Sequence, residues 1–109
     1  MELSFEFALK VIPYVELLEN EKKFVIARQL LKSATSIGAN VREAQNAESA
    51  IDFIHKMKLA AKEAEETEYW LLLCNNSVGY PGCQELLNDC DSIIKVLSKI
   101  ITTTKNKLK

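Results

Sequence analysis

Turn-forming residues are scarce in this chain, with three glycines and two prolines among 109 residues. A backbone with so few interruptions, rich in Leu, Lys, Glu and Ala, is constrained to a few long helices. The punctuation divides it into four helical segments, at about residues 4–19, 21–45, 49–76 and 82–104. Asn20 is placed to cap the second helix, and Ser49 with Asp52 gives a capping-box-like start to the third. Ser77-Val78-Gly79-Tyr80-Pro81-Gly82 is the clearest loop. Pro13 lies inside the first segment, where it removes one backbone hydrogen bond and should kink or split the helix.

Hydrophobic spacing at about 100° per residue gives each helix a face. On the fourth, Leu86, Leu87, Cys90, Ile93, Ile94, Leu97, Ile100 and Ile101 share one arc. On the second, the stripe is Ile26, Leu30, Ala34, Ile37, Val41 and Ala44, widened by Ala27, Leu31 and Gly38; on the third, it is Phe53, Met57, Ala60, Ala64, Thr67 and Leu71, widened by Ile54, Ala61 and Leu72. The small residues Ala34 and Gly38, set against Ala60, Ala61 and Ala64, predict a close antiparallel pair of middle helices. Alternatively, Gly38 is only a tolerated helix defect costing about 1 kcal/mol.

The first helix carries two stripes. Phe5, Ala8, Leu9, Ile12 and Val15 are expected to face the core, leaving Phe7, Val11, Tyr14 and Leu18 on another side. Trp70, Leu59 and Leu73 likewise fall outside the main stripe of the third helix. Large apolar patches are rare on monomers, so Phe7, Val11, Tyr14, Leu18 and Trp70 are the expected subunit interface. A kink at Pro13 that turned both stripes into one core would remove that expectation.

The length suits a single domain spanning residues 1–109, and 48% apolar with 27% charged residues is the composition of a packed fold rather than a disordered one. The longest apolar run, from Tyr69 to Cys74, is far short of the roughly twenty residues that cross a bilayer, so no membrane partner is expected. The start Met1-Glu2-Leu3-Ser4 lacks a basic segment and a cleavage site, which makes the cytoplasm the default expectation. Cys74, Cys83 and Cys90 are odd in number and have no CxxC spacing, and read as small core residues. The triplet Asn75-Asn76-Ser77 is a glycosylation acceptor only in a secretory context.

Net charge is −1, but it is unevenly spread. Residues 21–47 carry five Lys or Arg against two acids, and residues 48–77 carry three against six. Arg28, Lys32 and Arg42 align on the outer face of the second helix and are candidates for phosphate contacts in RNA or DNA, with the lysine-rich tail adding more. A solvated face explains the same residues. Along one edge of the second helix run Gln29, Ser33, Ser36, Asn40 and Glu43, of which Ser36, Asn40 and Glu43 are expected to form a buried structural network with Glu68, whose carboxylate needs a partner if it lies in the apolar arc.

Catalytic constellations are missing from the pattern. Bundle di-iron sites need two Glu-x-x-His motifs, whereas the single histidine, His55, has only Asp52 at that spacing. There is no Gly-rich phosphate loop and no hydroxyl with an evident base. A non-enzyme without cofactor or metal is the expectation.

The run Ser36-Ile37-Gly38-Ala39-Asn40-Val41-Arg42-Glu43, then Asp52-Phe53, then Glu66-Thr67-Glu68-Tyr69-Trp70-Leu71, resembles the four-helix-bundle family of 23S rRNA intervening-sequence proteins. The resemblance extends from Phe5 to about Leu97. It implies an all-α, up-down-up-down bundle, commonly a homopentamer, from bacterial genes often lying within large-subunit rRNA insertions. The family name records gene location and leaves the molecular function unknown. Similar proteins include the accessory variability proteins of diversity-generating retroelements, basic pentamers that bind a reverse transcriptase and nucleic acid. The slightly acidic balance of this chain departs from theirs. The expectation is therefore a homo-oligomeric interaction or scaffold protein, with a nucleic-acid-binding accessory role as the alternative.

Overall fold

The computed structural model describes residues 2–109, with side chains from Leu3 onward. It consists of four helices, α1 (Glu2–Asn20), α2 (Phe24–Gln45), α3 (Ala50–Asn76) and α4 (Gln84–Lys107), with no strand among the described residues. Each helix packs on two others in the cyclic order α1, α2, α3, α4, and the α1–α4 seam is the thinnest. The result is a rod of 50 × 20 × 20 Å, whose length is set by helices of up to 27 residues.

The ends of the helices are fixed by local chemistry. α1 stops in a Schellman arrangement: Lys23 N–H donates to the Leu18 carbonyl and Lys22 N–H to the Glu19 carbonyl. Lys22 takes the left-handed conformation there, at φ 66°, a position that usually falls to glycine. Asn20 is thus the last residue of α1 and does not cap α2, which starts after Lys23 with no side-chain cap bond. The expected cap of α3 is present, since Ser49 Oγ accepts from Asp52 N–H and the Asp52 carboxylate accepts from Glu48 N–H. At the start of α4, Asn75 of α3 supplies the cap, its Oδ1 accepting from Cys83 N–H at 2.8 Å. Gly79, at φ 84°, makes the turn that Tyr80 N–H closes onto the Ser77 carbonyl.

Pro13 does not split α1. It lies on the exposed side, so the Leu9 carbonyl that it leaves without a helical donor is also on the outer side. Which stripe of α1 faces inward is the reverse of the sequence expectation. Phe7, Val11, Tyr14 and Leu18 are buried in the chain's own core, Phe7 at 2% exposure and Leu18 at 0%. Phe5 (54%), Leu9 (53%) and Ile12 face outward. Four of the five residues expected at a subunit interface are therefore core residues, and the apolar surface left over is the other stripe apart from Val15, which is buried as expected.

The remaining core matches the sequence stripes: Leu30, Ala34, Ile37, Val41 and Ala44 from α2, Met57, Ala60, Ala64 and Leu71 from α3, and Leu86, Cys90, Ile93 and Leu97 from α4. Gly38 has a different role from the one expected. A Cβ built there would approach Ser4 of α1 at 3.6 Å, so this glycine faces α1, not α3.

The inversion of α1 has a direct test. Phe7→Ala should destabilise the protein by about 3–5 kcal/mol, the cost of emptying an aromatic core site. Leu9→Ala, on the half-exposed side, should cost under about 1 kcal/mol within a single subunit. Chemical denaturation of the two variants checks the order, and comparable losses would contradict it.

Candidate interaction surfaces

Polar groups inside the bundle are few and satisfied. Ser33 on α2 and Thr67 on α3 are fully buried, and their hydroxyl oxygens are 2.8 Å apart. Thr67 Oγ1 is also 2.8 Å from the Glu63 carbonyl, and Ser33 Oγ is 3.3 Å from the Leu30 carbonyl. This pair is the buried polar link between the middle helices, and it replaces the one expected from Ser36, Asn40, Glu43 and Glu68. Ser36 Oγ donates to the Lys32 carbonyl and Asn40 Nδ2 to the Ser36 carbonyl, both within α2. Glu43 lies outside and pairs with Lys56 at 3.2 Å. Glu68 is half-buried on the flank of α3 that faces α4, where its charge acts on Cys90. The four residues do not form one network.

The three cysteines are free and buried. Burial pushes the Cys90 thiol up to about 12, with the nearby Glu68 and Asp91 charges adding to the shift. The Cys74 and Cys83 thiols are also raised by burial, against an opposing hydrogen bond with Tyr14. All three are held as thiols, the unreactive form. Burial raises the Tyr14 hydroxyl as well, and its proton goes to the Pro81 carbonyl at 2.6 Å, tying the α3–α4 loop to α1. Lys23 Nζ sits 4.5 Å from the centre of the Tyr80 ring and pins the same loop to the α1–α2 turn. Among the described residues, no cluster of three His, Cys, Asp or Glu side chains is placed to hold a metal, and no helix is long and apolar enough to cross a membrane.

The outer surface carries two built faces. The first lies along α1 and α2. Phe5, Leu9 and Ile12 form an exposed row, and Phe5 lines a groove of about 390 Å³ together with Ser4, Ala8, Thr35, Gly38, Ala39 and Arg42 among others. Small residues on both helices make the groove, since no side chain longer than a methyl rises from Ala8, Gly38 or Ala39. Arg42 lines the α2 side of the groove. Arg28 and Lys32, the rest of the expected basic stripe, lie further along the outer face of α2; all three are exposed, and among the described residues none is in an ion pair.

The second face lies on the C-terminal half of α3. Tyr69 (56%), Leu72 (45%) and Leu73 are exposed there, flanked by Glu65 and Glu66. Trp70 is half-buried against the core, edge-on to Tyr69 at 5.3 Å, and its Nε1 donates to Glu66 Oε2 at 3.4 Å. From Glu63 to Asn76 the helix holds four glutamates and no Lys or Arg. Leu72, expected to widen the core stripe of α3, is exposed instead; its separation by three residues from Tyr69, and theirs by seven and four from Glu65, marks one surface row.

The fold is an all-helical bundle of four helices, and the comparisons with known proteins agree with it. The profile of the 23S rRNA-intervening sequence protein family matches residues 1–99, and the chain belongs to that family. A crystal structure of a protein with unknown function, from the S23 ribosomal protein family of Bacteroides thetaiotaomicron VPI-5482, superposes with a TM-score of 0.86 at 45% identity. The match covers 92% of this chain and 95% of that one. No curated protein matches the chain.

The hydroxyl link predicts a contrast between neighbouring residues. Thr67→Val should lower stability by about 1 kcal/mol through the lost hydrogen bonds. Glu68→Gln should stay within about 0.5 kcal/mol, as expected of a residue with no buried partner. Urea unfolding of the two variants measures both, and a larger loss at Glu68 would restore it as the structural acid.

Proposed function

We propose that this protein is a non-catalytic, cytoplasmic scaffold that works by assembling with copies of itself and by holding partners on the assembled surface. One observation carries the reading: the Phe5, Leu9 and Ile12 row stands half exposed beside an apolar groove, and no described part of the chain covers it. Burial of such a row by a second molecule is favourable at roughly 25 cal/mol per Å² of apolar area.

The helices run alternately up and down in this reading. Ser33 and Glu43 stand against Thr67 and Lys56, while Cys83 and Cys90 stand against Leu71 and Ala64, so numbers rise along one helix as they fall along the next. Family resemblance implies a ring of five. A non-catalytic role is supported by how the reactive groups are used. The hydroxyls of Ser33, Thr35, Ser36 and Thr67 are engaged by helix carbonyls, and burial keeps the cysteines protonated. Three free thiols also suit the reducing cytoplasm. Sedimentation at micromolar concentration should give a mass several times 12.3 kDa. A mass of one protomer would remove the reading.

A second reading is favoured by the unpaired row Arg28, Lys32 and Arg42: an accessory protein that contacts RNA or DNA phosphates, alone or beside a reverse transcriptase. Three phosphate contacts predict an affinity that falls about fortyfold between 50 and 200 mM salt. Titration of a structured RNA at these two salt concentrations measures the slope. No binding at the lower one excludes this role.

A further inference from the structure

We infer that the α1–α2 groove is a ligand site for a small amphipathic carboxylate, whose apolar body lies along Phe5, Ala8 and Ala39 and whose carboxylate is held by Arg42. The inference goes beyond self-assembly and does not depend on it. A concave space of about 390 Å³ falls within the range of roughly 300–1,000 Å³ that small-molecule sites span. One face of α2, with Thr35, Gly38, Ala39, Arg42 and Gln45, makes it together with the first turns of α1. The run 36–43, on which the family resemblance rests, thus passes through the groove. Packing accounts for only part of that run. Gly38 lies close to Ser4, but Ala39 and Arg42 are exposed and contribute nothing to the core.

The lining decides the chemistry of the occupant. Most of it is apolar, and the neutral polar side chains are already engaged within the chain. Thr35 Oγ1 donates within its own helix, to the Leu31 and Lys32 carbonyls, and Gln45 Nε2 donates to the Val41 carbonyl. Ser4 is buried and has a partner as well. Arg42 differs from these. Among the described residues it is the one charged side chain in the lining, and its guanidinium is in no ion pair. The adjacent Glu43 turns to Lys56 at 3.2 Å, and Glu6 lies on the other flank of α1, near Asp89 and Ile93. Neither carboxylate is placed in the groove.

What remains is a planar fork of donors, without an acceptor, beside an apolar trough. A carboxylate matches that fork with two parallel hydrogen bonds and balances its single charge. A phosphate dianion would bring a second charge with no second cation in the lining to meet it. The apolar part of the ligand follows from the walls. Phe5, more than half exposed, offers a ring to pack against, and the short side chains of Ala8 and Ala39 leave room beside it. Displacing water from this surface favours binding, and the carboxylate fixes which way round the ligand lies.

Calorimetric titration with three probes tests the site: octanoate, which has both parts, 1-octanol, which lacks the charge, and acetate, which lacks the apolar body. Octanoate should bind the parent protein, octanol more weakly, and acetate not measurably. Arg42→Gln should lower the octanoate affinity about tenfold or more and leave that of octanol unchanged, the loss expected for a hydrogen bond to a charged group. Ala39→Leu places a larger side chain in the trough and should abolish binding of both. Circular dichroism checks that each variant keeps the helical fold, and Ala8→Leu replaces Ala39→Leu if that variant does not. In NMR spectra, octanoate should shift the amide resonances of Gly38, Ala39 and Arg42. No octanoate binding by the parent, equal binding of octanol and octanoate, or an affinity untouched by Arg42→Gln overturns the site. Binding that appears only on dilution, as the protein dissociates, would give the groove to a second copy of the chain and overturn it as well.

Discussion

A helix with apolar residues on two sides can give only one of them to a bundle of four, and the choice made by α1 decides what the molecule shows to its surroundings. Burying Phe7, Val11, Tyr14 and Leu18 lets Tyr14 reach the Pro81 carbonyl and turns Lys10 towards Glu85 and Asp89 of α4. Burying the other stripe would have put Phe5 and Leu9 inside and left the tyrosine hydroxyl without that acceptor. The bundle closes its thinnest seam with this arrangement, and the rejected stripe becomes the outer wall of the α1–α2 groove.

The same choice explains where reading the sequence succeeded. On α2 and α4 the apolar positions form one arc and the charged positions fill the rest, so only one inward face is consistent with the spacing. On α1 both stripes look adequate over two turns. Extended to the end of the helix they differ: Ser4, Phe7, Val11, Tyr14 and Leu18 continue at alternating steps of three and four, whereas the Phe5, Ala8 and Ile12 row reaches Glu16 and Glu19. Charge at the end of a stripe was the signal, and following both to the C-terminus of the helix reads it correctly.

The buried polar group was misplaced for a related reason. Thr67 was expected in the core stripe of α3 and is buried there; its neighbour Glu68 falls at the edge of the same arc, where the uncertainty in helix phase over the length of α3 is enough to bring it wrongly inside. Physical cost decides between them, because a threonine hydroxyl can return its proton to the Glu63 carbonyl one turn back, whereas a carboxylate in that position would have to find a donor. Ser33 was visible on the edge of α2, but its partner follows only from the register between helices, which a single sequence does not specify. The exposed Arg28, Lys32 and Arg42 row, by contrast, was legible, since charges that fall opposite an apolar arc have nowhere else to go.

Register matters beyond the core. The hydroxyl contact between Ser33 and Thr67 and the approach of Ser4 to Gly38 set the heights of three helices relative to one another. By this register Lys32 of α2 stands level with Glu68 of α3, Arg28 with Leu72, and Arg42 with Lys58. A slip of one helical turn would move Arg28 and Lys32 by about 5.4 Å along the rod and bring Lys62 towards them. The near-zero net charge of the chain is thus a sum of two segregated faces. Surface charges spaced by more than a Debye length of about 8–10 Å are largely screened, so each face acts only on what comes within that distance of it.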